Sequence, residues 1–127
     1  SGVSNDFREI LTARAQGNER AALAIEVYIH RLRKYIGAYA AILGRFDAIA
    51  FTGGVGENVP EVRGRALEGL APWGVDLDGG ANEEAAGRET RISSGAAKVS
   101  AWVIPTDEER IIARDTARCV EDAGLVA

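Results

Sequence analysis

Three short stretches hold residues whose types and spacing could do chemistry. Residues 51–58 read FTGGVGEN, with glycines at 53, 54 and 56 followed by Glu57 and Asn58. Glycines tolerate positive φ and let a backbone approach a ligand closely. Successive backbone N–H groups, helped by a following helix start, can form an anion-binding nest. The stretch lacks G-K-[ST], and Gly54, Gly56 and Val59 do not satisfy G-x-G-x-x-G, so neither familiar phosphate motif is present. Glu57 opposes a naked phosphate cradle unless it points away or faces a metal. A tight strand-to-helix turn with no ligand accounts for the same glycines.

Residues 103–110 read VIPTDEER. Thr106 followed three residues later by Glu109 forms a capping box, and Asp107 and Glu108 place negative charge in a first helical turn. Helix-start chemistry therefore explains every acid here. The other reading is a Mg²⁺ site, because Mg²⁺ takes one or two carboxylates and completes its shell with water and phosphate oxygens. With Glu109 occupied in the box, Asp107 and Glu108 remain to face a cleft. In the third stretch, SNDFRE, Asp6 and Arg8 flank Phe7 at a helix start. Arginine suits phosphate or ribose, and an aromatic ring could line a base pocket. A capped amphipathic helix with a surface ion pair is the alternative.

The elements that must position these stretches follow from periodicity. Ser4, Asn5 and Asp6 can cap a helix bearing Phe7, Ile10 and Leu11 on one side. A long helix is expected from Glu19 to Leu43, its apolar residues Ile25, Tyr28, Leu32, Tyr35, Tyr39 and Ile42 spaced by three and four and its end marked by Gly44. Val27, Ile29, Ile36 and Leu43 widen that stripe, which predicts a helix covered on much of its circumference. Residues 46–52 read as a buried strand, the glycine stretch as a loop, and Pro60 as the opening of a helix to about Leu70. A turn-rich segment covers 72–80, and 82–86 reads as a short helix. Strands at 90–93 and 99–104 are joined as a hairpin through SSGA. A last helix spans 107–120, with Cys119 packed in it. This order makes an α/β fold class. Three strands are few for an independent α/β domain, so part of the fold is expected to lie elsewhere.

Bulk properties narrow the partners. The 127 residues fit one domain, and the formal charge of −4 offers a polyanion no general attraction. Nucleic acid is therefore not an expected partner. One cysteine excludes an internal disulfide and suits a reducing compartment. No apolar run is long enough to span a bilayer, and the N-terminus is not a signal peptide. With no Met anywhere and first residues that read as a mid-chain loop, the chain is expected to be a piece of a longer protein. His30, the single histidine, sits in the long helix without metal-spaced partners, and Arg31, Arg33 and Lys34 read as its solvated face.

The segments GVSNDFRE, KYIGAYAAILGRFDAIAFTGGVGENVPEVR and VIPTDEERIIARDT together resemble the C-terminal part of acetate kinases, with propionate kinases the near alternative. The resemblance covers nearly the whole chain in the right order. It implies part of the C-terminal ribonuclease-H-like domain of the acetate and sugar kinase/Hsp70/actin fold, in which two such domains enclose a nucleotide cleft. It further implies reversible transfer of the γ-phosphoryl of ATP to acetate, giving acetyl phosphate and ADP, with Mg²⁺, in a cytoplasmic homodimer. The family's nucleotide-contacting D-x-R falls on Asp6, Phe7 and Arg8. Its nucleotide loop falls on Gly54, Val55, Gly56, Glu57 and Asn58, and its metal-binding glutamate on Glu108. Many relatives carry Asn where this chain has Asp107. The family's catalytic aspartate, arginines, histidines and first phosphate-binding segment lie upstream, so the chain alone is expected to be inactive. The alternative role is a dimerisation or interaction module built on the long helix.

Overall fold

The computed structural model describes residues 2–124, except for the side chain of Glu108. Helix α1, Phe7–Ala15, starts where the Asp6 side chain accepts the Arg8 N–H. Helix α2, Glu19–Leu43, is capped by Asn18, which accepts the Ala21 N–H, and ends at Gly44 with φ +68°. These local signals are strong enough to set the start of α1 and both ends of α2 where they are expected. Strand β1, Ala48–Phe51, is followed by α3, Gly53–Asn58, and α4, Pro60–Leu67. A short 3₁₀ turn at Ala71–Trp73 leads to α5, Gly79–Glu84. Strands β2, Thr90–Arg91, and β3, Ser100–Val103, precede α6, Glu108–Asp122.

The sheet has the order β1-β3-β2, with β1 parallel and β2 antiparallel to β3. Ile49 lies opposite Ala101 and Phe51 opposite Val103. These alternate residues face a core with Ala66, Leu67, Leu70, Val75, Ala85, Ile92 and Val99. The 46–52 strand is shorter than expected and only half buried: Ala48 and Ala50 are exposed. As an edge strand, β1 has just one face against the core.

A second core joins Ile10 of α1, Ala21, Ile25 and Ile29 of α2, and Val62 of α4. Polar links reinforce it. Arg14 holds Glu61 in a bidentate pair at 2.6 and 2.7 Å, and Arg65 holds Glu26 in the same way. Thus α1, α2 and α4 are fixed together by both packing and charge.

Two expectations about helix burial are corrected. The face of α2 bearing Leu23, Val27, Tyr35, Tyr39, Ile42 and Leu43 is exposed, because neither core reaches that side. Cys119 is exposed rather than packed, since α6 lies outside both cores and its described side chains are exposed save half-buried Val120.

Ile25 is fully buried where α1, α2 and α4 meet. Ile25→Ala is expected to cost about 3 kcal/mol. Urea unfolding would report this as a lower midpoint with an unchanged slope.

Candidate functional site at the carboxyl ends of two parallel strands

Because β1 and β3 are parallel and in register, both chains leave the sheet at the same edge. The stretch after β1 is the glycine segment, and the stretch after β3 is TDEE. The carboxyl edge of an α/β sheet is where such folds bind ligands. Topology thus brings together two stretches nearly fifty positions apart.

The glycine segment is not a loop but the helix α3. Glycine is a poor helix former, so non-local bonds must hold it. Its first N–H, from Gly53 at φ +72°, donates to Glu57 Oε1 at 2.9 Å. Its last carbonyls, which no helix turn can satisfy, are met by Arg63. The Arg63 side chain is fully buried, and Nη1 donates to the Gly56 and Glu57 carbonyls at 2.9 Å each. Its Nε donates to Asn82 Oδ1 at 2.8 Å, and Nη2 to the Asn82 carbonyl in the last turn of α5. Asn82 Nδ2 in turn donates to the Pro60 carbonyl. One guanidinium therefore caps the C-terminal ends of both α3 and α5. Burial pulls its pKa down, with Glu83 opposing the shift. Gly56 is a glycine for a steric reason: a Cβ there would lie 3.2 Å from the Phe51 carbonyl carbon.

Glu57 turns towards α6. Its Oε1 also accepts the Thr106 N–H at 2.8 Å and the Thr106 hydroxyl at 2.9 Å. These bonds hold its carboxyl below the usual range, the Thr106 amide contributing most. The expected capping box is consequently absent. With Thr106 committed to Glu57, Asp107 becomes the cap of α6 and accepts the Arg110 N–H at 3.0 Å. Asp107 is engaged rather than free. The side chain of Glu108, the expected metal ligand, lies outside what the structure describes.

Two clefts flank α3. The first, of about 950 Å³, is lined by Asp6, Phe7 and Arg8 from the start of α1 and by Gly54, Val55 and Asn58 from α3. Two of the three sequence stretches meet here. Its apolar floor continues into the second core through Phe7, Leu11, Val55 and Val59. Phe7 is braced by Tyr28, ring centroids 5.0 Å apart. Asn58 Nδ2 donates to the Gly54 carbonyl at 3.0 Å. Arg8 is anchored to Asp6 through Nε and Nη2 at 3.1 and 2.6 Å, yet its side chain is 89% exposed. The surface pair and the cleft wall are thus the same residues. The second cleft, of about 430 Å³, is lined by Gly53, Gly54, Glu57, Thr106, Asp107 and Glu109. Glu57 faces this cleft and Gly56 lines neither. A separate hollow of about 410 Å³ beside Phe46 and Trp73 has Arg45 as its only charged lining residue and lies away from all three stretches.

Hard oxygen donors on the second cleft suit Mg²⁺ in kind. Among the described residues, no three His, Cys, Asp or Glu side chains converge as a ligand set. That donor set fits an ion taking most of its shell from water and phosphate rather than one held in a protein cage. Arg63 and the Glu57–Thr106 bonds are the parts sequence reasoning missed. The one signal available was an arginine inside an otherwise apolar helix face, between Val62 and Ala66.

This mixed α/β fold matches acetate kinase structures, which have the acetate and sugar kinase/Hsp70/actin fold. The model of the acetokinase family matches residues 1–114, and the chain belongs to that family. An acetate kinase of Solibacter usitatus is 49% identical over 94% of this chain, which spans 29% of that protein. The structure of Porphyromonas gingivalis acetate kinase superposes with a TM-score of 0.85 at 47% identity, over 93% of this chain and 30% of that one. A propionate kinase of Francisella tularensis gives a TM-score of 0.72 at 36% identity, over 85% of this chain and 28% of that one. The chain thus spans somewhat under a third of the length of the relatives it matches. Among the described residues, no helix is long and apolar enough to cross a membrane.

The Asp6 carboxyl is pulled from 3.8 to about 2, first by the Arg8 side chain and then by the Arg8 backbone N–H. A depressed carboxylate stabilises the fold at pH values above its unfolded pKa and loses that contribution as pH falls through the folded one. The Asp6 cap should therefore be fully present above pH 3.8 and lost as pH drops towards about 2. A carboxyl carbon titration by NMR should place the Asp6 midpoint near 2, and in Arg8→Ala nearer the ordinary value.

Proposed function

We propose that this chain is the nucleotide-side, C-terminal portion of an acetate kinase, part of that enzyme's C-terminal ribonuclease-H-like domain. The complete enzyme would transfer the γ-phosphoryl of ATP to acetate, reversibly, giving acetyl phosphate and ADP, in the cytoplasm. The observation that carries this reading is the meeting of Asp6, Phe7 and Arg8 with Gly54, Val55 and Asn58 around one cleft. An exposed guanidinium, an aromatic face over an apolar floor and a close-packed glycine backbone suit a phosphate, a base and a ribose in turn. Gly56 and Glu57 belong to the same segment and would support it from behind.

Mg²⁺ would be held at the start of α6, with Glu108 the ligand of choice on family grounds. When bound it would neutralise charge on the nucleotide phosphates. Asp107 would add negative potential there while its carboxylate caps the helix. Phosphoryl transfer needs several charged groups placed at once. The family's catalytic aspartate and arginines have no counterparts on this chain, so by itself it would bind nucleotide without turning over. Acetate and propionate kinases differ in their acyl substrate, and the nucleotide cleft does not separate them; the propionate reading remains the variant of this proposal.

Calorimetric titration of the chain with Mg·ADP tests it. Saturable binding is expected, weakened roughly tenfold in Asn58→Ala through loss of polar contact and cleft shape. Binding unaffected by Asn58→Ala would overturn the assignment of this cleft.

A second reading rests on its own observation, the exposed apolar face of α2. Leu23, Val27, Tyr35, Tyr39 and Leu43 recur every four residues or multiples of four along it. Such a stripe on a 25-residue helix would serve a homodimer or an interaction module. Light scattering is expected to give a dimer that Tyr39→Lys dissociates; a monomer at every concentration would rule the interface out.

A further inference from the structure

The geometry points to Glu57 as a positioning residue that latches the start of α6 to α3, so that a ligand in the cleft on one side of α3 is registered at the acidic helix start on the other. This rests on the nucleotide reading of the first cleft for the identity of the ligand, but not for the latch itself.

The bonds on Glu57 are unusual in their concentration. One oxygen, Oε1, accepts from Gly53 N, Thr106 N and Thr106 Oγ1 at 2.9, 2.8 and 2.9 Å. A charged acceptor makes each of these bonds stronger than a neutral one would be. The carboxylate therefore ties the first residue of α3 to the residue two positions before α6.

The latch has a fixed end and a loosely held end. On the α3 side, the Glu57 carbonyl accepts from buried Arg63, which is itself tied to Asn82. On the α6 side, no described residue from Glu109 to Gly124 is buried, and Val120 alone is half buried. Burial of apolar side chains is what usually seats a helix. Here the start of α6 is seated by the Thr106 bonds, two residues beyond the bond from Ile104 N to the Phe51 carbonyl.

Gly54 lines both clefts, so a displacement of α3 by a ligand in the first is a displacement of a wall of the second. Glu57, three residues on, would carry it to Thr106. The adjacent Asp107 cap and the Glu108 backbone follow directly in sequence. The latch would thereby align the proposed metal-binding end of α6 only when the nucleotide side is set.

Amide hydrogen exchange of the 127-residue chain, read residue by residue by NMR with and without ADP, tests this. In Glu57→Ala, Thr106 N–H should exchange about tenfold faster without ligand, because it loses its charged acceptor. ADP, added to saturation for each variant, should slow Thr106 exchange in the wild type but not in Glu57→Ala. Glu57→Gln, which keeps an acceptor oxygen, should retain part of the coupling, a rescue that a merely space-filling role would not need. Thr106 exchange unchanged in Glu57→Ala, or still slowed by ADP there, would overturn the latch. If Glu57→Ala does not fold, Thr106→Val removes the hydroxyl bond alone, and undiminished ADP response at residue 106 in both Thr106→Val and Glu57→Gln would overturn it. If the wild type binds no ADP, the nucleotide reading fails, while the ligand-free exchange of residue 106 still decides the latch.

Discussion

A guanidinium enclosed on all sides is costly unless its donors are satisfied, and Arg63 satisfies its donors with carbonyls rather than with a carboxylate. Three of the four are main-chain carbonyls of the kind that short helices leave unpaired, and the fourth is the Asn82 side-chain amide oxygen. Arg63 and its acceptors therefore solve each other's problem: the ends of α3 and α5 gain donors, and a buried cation gains acceptors. Everything at the carboxyl edge of the sheet follows from this exchange. Without it, three glycines would have no reason to form a helical turn. Without that turn, Glu57 would not reach Thr106, nor would Gly54 and Asn58 face Phe7.

The opposite side of the cleft is set by different means. Helix α1 is located by the second core and, at its last turn, by the Arg14–Glu61 pair, both of which end on α4. Since α4 also carries Arg63, a single two-turn helix indexes both walls of the cleft. It gives α3 its geometry through one arginine and gives α1 its position through Glu61 and Val62. The chemistry-bearing residues themselves lie at helix starts and in a six-residue helix, while the rigidity lies in α2, α4 and the sheet beneath them.

What could be read from the sequence was whatever is decided locally. The start of α1 and both ends of α2 were legible because Asp6, Asn18 and Gly44 are caps whose effect needs only the adjoining turn. The three strands were legible from apolar runs and turn residues, although the single-sided burial of β1 was not, because burial depends on what is stacked above it. The α3 helix was illegible because its stabilising groups, Arg63 and Asn82, lie in other elements. The capping box failed for a related reason. Thr106 and Glu109 satisfy the local rule, but a carboxylate 49 positions away competes for Thr106 and wins, because parallel pairing of β1 with β3 delivers it there. The residues that line the two clefts were visible as three separate motifs. Their convergence belongs to topology, which spacing along the chain does not encode.

An acidic residue inside a glycine segment proposed to face a phosphorylated ligand looks like a contradiction, and its orientation removes it. Glu57 points away from the cleft that holds Arg8 and spends its charge on one amide of α3 and two groups of Thr106. The depressed pKa of its carboxyl follows from those bonds. Meanwhile the Gly56 and Glu57 carbonyls rest on a cation that is hydrogen-bonded to no carboxylate among the described residues. The net field beneath α3 is therefore more positive than the sequence GGVGEN suggests, even though the segment's only ionisable residue is an acid. A carboxylate used as a strut and a guanidinium used as a foundation leave the face of α3 towards the first cleft without a negative charge, lined by Gly54, Val55 and Asn58.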